Sequence, residues 1–377
     1  MMRIAVAGAG VGGLTTAIAL RAVGIEACVY EQAAQLARVG AGIQQSPNAV
    51  RVLRKLGIAG RLEQRGFQPS AMLSRDASTA DVTNELRLGD AVRQRYGEPY
   101  LLLHRADLHD ALLAALPPDA IVCNKRLTGV TEAASAVKLT FADGTTAEAD
   151  ALIAADGVHS AVREQLFGTA PLRYTGRVGY RTTIPASALA GLTPDENTKW
   201  WSADRHVIMC YITAARDELY VMGTFDEPGF TLESWSAEGD VAAFRDAFAS
   251  FHPDVRAILD RVTRVHKWAL VDRDPLPQWN AGRIVVLGDA AHPTMPHMGQ
   301  GAAMALEDAA VLVRCIEAAG GDCAAAFGRF TQTRRERTAD VQELSRGNTF
   351  LRHRGAGVDW LYGYDAWHEP LAGPAAA

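Results

Sequence analysis

Several features that mark nucleic-acid, metal and hydrolase sites are absent from the 377-residue sequence. Lys and Arg number 38 against 43 Asp and Glu, a formal net charge of −5, so nothing indicates a basic surface for nucleic acid or an anionic membrane. The 10 histidines show no HxH or HExxH spacing, and we expect no metal site. No GxSxG segment is present, which excludes the nucleophile elbow of α/β-hydrolases.

Cysteines and long apolar runs are also scarce. The 5 cysteines are an odd number without CxxC spacing, which argues against a disulfide framework or a zinc ribbon. No apolar run approaches the ~18 residues of a membrane span, and the N-terminus enters a strand pattern at Arg3 instead of a signal peptide. The expectation is a cytoplasmic protein that has no membrane contact.

The order of the apolar patterns predicts an α/β fold. Residues 3–8 read as a buried strand, helical spacing follows from Leu14 to Ala22, and residues 27–30 form a second short apolar run. Alternating patterns between about 170 and 275 predict a second, sheet-based domain. The chain then returns to a buried strand near residues 283–287 and two long helical patterns, at about 300–318 and 323–350.

A glycine-rich turn follows the first strand. Gly8, Gly10 and Gly13 match GxGxxG, in which the first glycine permits a tight turn, the second lets a pyrophosphate approach the backbone, and the third allows close helix packing. Glu31 ends the second strand, at the distance expected of a carboxylate that binds the ribose hydroxyls of an adenosine. The fingerprint indicates a dinucleotide site and leaves NAD and FAD open.

Two further motifs carry a resemblance to a known family. Residues 156–163 fit DGxxSxxR and residues 288–293 fit GDAxHP, and with the N-terminal fingerprint they resemble the group A flavin monooxygenases, which are FAD-dependent aromatic hydroxylases. The likeness runs from residue 3 to the end of the chain. It implies that Asp289 holds the ribityl hydroxyls of FAD, that Arg105 meets its phosphates, and that the segment from Asp156 braces the cofactor and serves transient NADH or NADPH binding.

The resemblance also implies the domain plan. It predicts a Rossmann-like FAD-binding domain of the 4-hydroxybenzoate hydroxylase type from residues 1–70, 98–168 and 280–350. A β-sheet substrate domain would comprise residues 71–97 and 169–279, and residues 351–377 would form a C-terminal tail. A monomer and a homodimer are both left open.

A second small-residue turn follows GDAxHP. Gly299, Gln300 and Gly301 precede a predicted helix, whose first backbone N–H groups have no partner within the helix. A reduced flavin is anionic, so these groups are candidates to stabilise its charge.

Within the family, the chain is similar to the 6-hydroxynicotinate 3-monooxygenases. Residues 40–43, 199–206 (Lys-Trp-Trp-Ser-Ala-Asp-Arg-His), 296–298 and 360–365 carry this likeness. It implies that His206, Tyr220 and His297 line a pocket for a hydroxypyridine. It also implies an activity that consumes NADH and O2 and converts 6-hydroxynicotinate to 2,5-dihydroxypyridine with loss of the carboxylate.

Three positions depart from that subfamily. Gln44 stands where those enzymes have a pocket histidine, Cys210 where they have a tyrosine, and Asn197 where they have a cysteine. Because mispaired buried polar groups are costly, such changes can alter substrate preference, and 6-hydroxypicolinate is an alternative substrate. Tyr211, next to Cys210, is a further titratable candidate.

Arg181 is a candidate clamp for the carboxylate of the substrate, although an ordinary ion pair accounts for it equally well. Other functions stay open at this point. A salicylate-type hydroxylase, a flavin dehydrogenase or oxidase, and a non-catalytic FAD-binding sensor could all be built on the same FAD domain, because a fold does not determine a function.

Overall fold

The computed structural model describes residues 2–36, 40–169, 172–232, 237–353 and 357–373. The strands within these residues are β1 (Arg3–Ala7), β2 (Glu26–Tyr30), β3 (Gly42–Gln45), β4 (Ala71–Asp76), β5 (Val82–Arg87), β6 (Leu101–His104), β7 (Ile121–Val122), β8 (Leu127–Glu132), β9 (Val137–Phe141), β10 (Thr146–Ala149), β11 (Ala151–Ala154), β12 (Arg173–Pro185), β13 (Asn197–Trp201), β14 (His206–Tyr211), β15 (Glu218–Asp226), β16 (His266–Asp272), β17 (Asn280–Ala281) and β18 (Ile284–Val286). The α-helices are α1 (Val11–Ala22), α2 (Pro47–Lys55), α3 (Ala59–Arg65), α4 (Gly89–Tyr96), α5 (Arg105–Leu113), α6 (Ala161–Phe167), α7 (Val241–Ala247), α8 (Pro253–Leu259), α9 (Gly301–Ala318), α10 (Cys323–Gly347) and α11 (Asp359–Tyr362).

The first large sheet has the order β17-β18-β11-β1-β2-β7, and its pairings are parallel except at β17. Its central strands are buried on both faces, which explains why they appear in the sequence as continuous apolar runs. Strands β8 to β10 form a separate β-meander, with the turn between β9 and β10 near residue 143. The predicted α/β class is confirmed.

The second large sheet has the order β16-β12-β15-β14-β13-β4-β5. Helices α7 and α8 contribute Phe244, Phe248 and Val255 to the apolar cluster on one of its faces. The alternating strand pattern did not predict these helices, which lie between two strands of the sheet. Strands β4 and β5 join this sheet although they are distant in sequence, and this supports the proposed division into two domains.

None of the helices in the described ranges is both long and apolar enough to cross a lipid bilayer.

A buried ionic network joins the two long C-terminal helices. Arg334 of α10 is fully buried, and its guanidinium donates to Glu307 Oε2 at 2.7 Å and to Asp308 Oδ1 at 2.8 Å, both on α9. Asp308 Oδ2 also accepts from the backbone N–H of Gly288 at 3.0 Å and lies 2.6 Å from His292 Nε2. Burial raises the pKa of the Asp308 carboxyl, but its interactions with His292 and Arg334 outweigh this effect and lower the pKa to about 2. The network therefore links α9 and α10 to the GDAxHP turn.

Replacing the central arginine of this network is expected to destabilise the fold. Arg334→Ala leaves two buried carboxylates without their shared partner, and breaking a buried pair in this way costs about 3–5 kcal/mol. Denaturant unfolding should show a loss of this size. Arg335→Ala is the matched control, because Arg335 is exposed on the next position of the same helix. Equal stability of the two variants would contradict the assigned role of Arg334.

Candidate active site

The turn between β1 and α1 has the shape of a phosphate cradle. Gly8 has φ +96°, and a Cβ atom there would lie 2.5 Å from the carbonyl oxygen of Ala155. A Cβ atom on Gly13 would lie 1.9 Å from the carbonyl oxygen of Gly8, so the helix can pack against the turn only with glycine there. Gly10 faces open space, with no atom within 4 Å of such a position. These positions match the three roles expected of the fingerprint, and the open side fits a pyrophosphate.

Glu31 lies beside this turn at the end of β2. Its carboxylate accepts from the backbone N–H of Ala9 at 2.7 Å and from that of Ala33 at 2.8 Å. These bonds hold the carboxylate at the carboxyl end of the sheet, where a nucleotide ribose is expected in such folds.

Asp289 and Arg105 are close enough for their charges to interact. Part of the Asp289 side chain is exposed to solvent, but many protein atoms surround its carboxyl. They desolvate the carboxyl and so raise its pKa, whereas His292 and Arg105 lower it. Burial lowers the pKa of the Arg105 guanidinium, and Asp289 opposes that shift. An acceptor and a cation thus lie near each other, and Asp289 Oδ1 lies beside Gly301, the first residue of α9. The donor set fits the ribityl and phosphate groups of FAD.

The DGxxSxxR segment, which the resemblance places at the cofactor, begins with Asp156 and ends with Arg163. Asp156 is half-buried, and its Oδ1 has no hydrogen-bond partner among the described residues. Arg163 is buried and donates to the carbonyl of Val158 at 3.3 Å, so the two do not form a surface ion pair. Asp156 stays a prediction as a cofactor contact.

The turn before α9 corrects one side-chain assignment. Gly299 is left-handed (φ +65°), and Gly301 begins the helix after Gln300. The Gln300 side chain is buried away from the cleft, where it donates to Ser46 Oγ at 3.0 Å and accepts from Asn48 Nδ2 at 3.3 Å. The side chain of Gln300 is therefore structural, and only its backbone stays a candidate for the flavin.

The second sheet separates the remaining candidates by face. Strand register places Cys210 opposite Tyr220, and both contact the core of the first domain. Arg181 of β12 is on the same face, stacked on the ring of Trp268 at 5.1 Å, and burial lowers its pKa to about 10. Tyr211, the next residue of β14, packs against Phe67 with ring centroids 5.9 Å apart, and it contacts both of the large apolar clusters. Its place in the site stays a prediction.

Two buried histidines meet on the site face. The rings of His206 and His297 pack edge to face with centroids 5.4 Å apart, and in the described part of the chain the Nε2 atom of neither has a hydrogen-bond partner. His297 Nδ1 lies 2.8 Å from the carbonyl oxygen of Ser345. Burial lowers the pKa of His297 to about 3 and that of His206 well below its ordinary value. Both are therefore neutral imidazoles near pH 7.

Gln44 joins the site through a residue that sequence reasoning missed. Its Oε1 accepts from the hydroxyl of Tyr100 at 2.5 Å, and it lies against Gly299 at the turn before α9. Tyr100 is buried beside Tyr362 of α11, with ring centroids 6.0 Å apart. No spacing marks Tyr100 in the sequence, since its partners are 56 residues upstream and more than 200 downstream.

Two more polar residues beside the histidines were also missed. Lys199 is buried, with its Nζ atom 3.8 Å from the centroid of the Trp201 ring, and it donates to Asn348 Oδ1 at 3.1 Å. Asn348 Nδ2 in turn lies 3.3 Å from His206 Nδ1. The Lys-Trp-Trp motif was a usable signal for Lys199, but nothing in the sequence points to Asn348.

Comparison with known sequences gives full-length matches. The model of a family described as FAD binding domain matches residues 1–344. A 6-hydroxynicotinate 3-monooxygenase of Bordetella bronchiseptica is 44% identical over 372 residues, covering 98% of this chain and 97% of that protein. Another, of Pseudomonas fluorescens, is 42% identical and covers 99% of this chain and 97% of its own.

Solved structures of FAD-dependent proteins also match most of the chain. Klebsiella pneumoniae HpxO complexed with FAD and uric acid has a TM-score of 0.82 and 30% identity, covering 94% of this chain and 89% of that one. A salicylate hydroxylase substrate complex also has a TM-score of 0.82, with 26% identity, covering 97% of this chain and 96% of that one.

Removing the Asp289 carboxylate is expected to weaken FAD binding. A hydrogen bond to a charged group contributes about 1.5–3 kcal/mol, so Asp289→Ala should bind FAD roughly tenfold to a hundredfold less tightly. The ratio of flavin to protein absorbance after purification, followed by titration with FAD, measures this. Asp119→Ala is the control, because Asp119 is exposed and remote in sequence from the motifs. Full flavin occupancy in Asp289→Ala would show that the contact is misplaced.

Proposed function

This chain belongs to the FAD-binding-domain family and is an FAD-dependent aromatic monooxygenase, and from that premise we propose that it hydroxylates a hydroxypyridine carboxylate, with 6-hydroxynicotinate as the leading substrate. The resemblance and the cofactor predicted from the motifs are confirmed. The observation that carries the substrate proposal is the contact between His297, next to the turn before α9, and His206 of the second sheet.

The overall reaction balances with one oxygen atom transferred. 6-Hydroxynicotinic acid, NADH, H⁺ and O2 would give 2,5-dihydroxypyridine, CO2, NAD⁺ and water. FAD, once reduced by the nicotinamide, supplies the O2 activation that no side chain can provide. Gly8, Gly10, Gly13, Glu31 and Asp289 would hold it, and NADPH stays an alternative reductant.

The chain's own residues prepare the ring for attack. A hydroxylated ring becomes electron-rich when it loses a proton, so an acceptor must lie beside it. Neutral His297 offers a lone pair at Nε2, since its Nδ1 must donate to the Ser345 carbonyl. A neutral imidazole at this point can take up a proton from the ligand. His206 and Tyr220 would be the other polar residues that line the substrate pocket.

Binding of the acid group is assigned to Arg181. Its guanidinium is buried on the site face close to Tyr220, with a second cation, Arg105, near enough to lower its pKa further. Arg181 is buried and Arg105 is half-buried, and two such neighbouring cations favour an anion beside them, such as a carboxylate. Met222, Trp268 and Met295 form an apolar cluster on the same face, which would help to exclude water from the ring.

A second candidate substrate is 6-hydroxypicolinate. The favouring observation is Asn197, which lies opposite Cys210 and is buried with neither the oxygen nor the nitrogen of its amide hydrogen-bonded among the described residues. Leaving both unpaired costs about 1–3 kcal/mol each, so a ligand that pairs them would gain affinity. The resemblance implies a cysteine at this position, whereas the amide of Asn197 offers both a donor and an acceptor, which supports a substrate with a shifted carboxylate or ring nitrogen.

The function is tested with the purified holoenzyme and a panel of hydroxypyridine and hydroxybenzoate carboxylates. We expect a hydroxypyridine acid to stimulate NADH oxidation strongly, with one O2 consumed per product. Under ¹⁸O2 the product should carry one heavy oxygen atom by mass spectrometry. Turnover without incorporation would identify a dehydrogenase or oxidase, and the absence of any stimulated turnover would favour a sensor.

Asn197→Cys tests the choice between the two pyridine acids. Removing the amide should raise the ratio of kcat/KM for 6-hydroxynicotinate over that for 6-hydroxypicolinate about tenfold, the equivalent of one hydrogen bond of ~1.4 kcal/mol. Thr198→Val is the matched control, since Thr198 is the next residue of β13 and faces the opposite side of the sheet. An unchanged ratio in Asn197→Cys would remove the argument for the second substrate.

A further inference from the structure

Both histidines of the site are held by the C-terminal end of α10. The carbonyl of Ser345 binds His297, and Asn348, the residue after the helix, binds His206. Asn348 is in the left-handed conformation (φ 45°, ψ 36°), which asparagine tolerates better than most residues. One helix end therefore sets the orientation of both rings.

The tautomer of His297 follows from its partner. A backbone carbonyl can only accept a hydrogen bond, so the proton of the neutral ring must be on Nδ1. The Nε2 atom of His297 is then a bare lone pair. It is buried and no described residue donates to it.

The tautomer of His206 is set less directly, through Lys199 and Asn348. The Lys199 amine has N–H groups to donate and lies over the Trp201 ring, so the amide oxygen of Asn348 turns towards it. The amide nitrogen of Asn348 then faces His206 Nδ1, which must accept. The proton of neutral His206 is therefore on Nε2, where it too has no partner in the described ranges.

We propose that Asn348, oriented by Lys199, is a positioning residue that keeps His206 as a donor beside the acceptor of His297, and that this pair binds the lactam edge of the substrate. The second part rests on the proposed function. A hydroxypyridine whose hydroxyl is next to the ring nitrogen exists as a lactam, with an N–H and a C=O on neighbouring atoms. His206 would donate to the C=O, and His297 would accept from the N–H.

The energetics favour such a ligand over a simple phenol. Each buried polar atom without a partner costs about 1–3 kcal/mol, and a lactam pairs both Nε2 atoms at once. Because the two rings are in contact, both atoms are within reach of one small molecule. A hydroxybenzoate presents a single hydroxyl, whose one oxygen atom would have to lie within hydrogen-bond distance of both Nε2 atoms to pair them, whereas the lactam places its donor and acceptor on two neighbouring atoms. Both candidate pyridine acids carry the lactam, so the inference does not depend on which is the substrate.

The positioning role is tested by nitrogen NMR of the holoenzyme labelled with ¹⁵N-histidine. Wild type should show His206 protonated at Nε2 and His297 at Nδ1. Asn348→Asp should move the His206 proton to Nδ1, because a carboxylate only accepts, and aspartate tolerates the same backbone conformation. Asn348→Gly, which keeps the turn and removes the amide, and Lys199→Met, which frees the amide to rotate, should both give mixed tautomers.

The control for these spectra is Asn84→Ala. Asn84 is another buried asparagine, and its amide binds the carbonyl of Leu351 in the segment that follows Asn348. Removing the Asn84 amide breaks this hydrogen bond to the same segment, but it removes no contact of either histidine. The tautomers should therefore stay as in wild type. If His206 keeps its proton on Nε2 in Asn348→Asp, or if Asn84→Ala shifts it equally, the positioning role is overturned.

Lactam recognition is tested by binding, through the absorbance change of enzyme-bound FAD. Wild type should bind 6-hydroxynicotinate at least tenfold more tightly than its N-methyl lactam, which cannot donate to His297. Asn348→Asp should weaken binding of the unmethylated acid about tenfold. Equal binding of the two ligands by wild type overturns lactam recognition. If neither pyridine acid binds, lactam recognition fails together with the proposed function, whereas the NMR result still decides the role of Asn348.

Discussion

The ion network around Arg334 is the constraint on which the site depends. Through Asp308 it fixes the GDAxHP turn that carries Asp289, and through Glu307 it reaches Asn48 Nδ2 at 2.7 Å. Asn48 lies within a chain of buried polar contacts that includes Gln300, the residue from which α9 starts. A buried charge group of this kind tolerates few alternative arrangements, because each unpaired member is costly. These contacts tie the start of α9 to α2 and to the GDAxHP turn.

The same logic of pairing separates structural from functional polar groups. In the network every carboxylate has several partners, which is the condition of a stabilising buried group. On the site face of the second sheet the reverse holds: His206, His297 and Asn197 are buried with polar atoms that no described residue pairs. Such atoms cost stability in the free protein, and a bound ligand can recover that cost. The C-terminal segment contacts the network and also Tyr100, the partner of Gln44. The ring of Tyr364 has its centroid 3.8 Å from the guanidinium of Arg337, which donates to Glu307, and Tyr362 packs on Tyr100.

The fold and the cofactor cleft were largely predictable. Strand-turn-helix spacing located the glycine turn, and the buried runs located the central strands, because these features arise from local backbone geometry and burial on both faces. Tyr211 stays a prediction as a site residue, because it contacts both of the large apolar clusters. Gln300 was assigned by its place in the chain, and its side chain turned instead to a buried network formed with residues more than 250 positions away.

The sequence by itself determined the family, the cofactor and the chemistry-bearing residues that sit in motifs, because each of those motifs is short and imposes its geometry on its own few residues. Tertiary structure alone decided which polar atoms stay unpaired. Tyr100 at Gln44, Lys199 at Asn348 and Asn348 at His206 are contacts between distant segments. Their partners are brought together only by the packing of α10, α11 and the second sheet, and the protonation of the two imidazoles follows from those contacts.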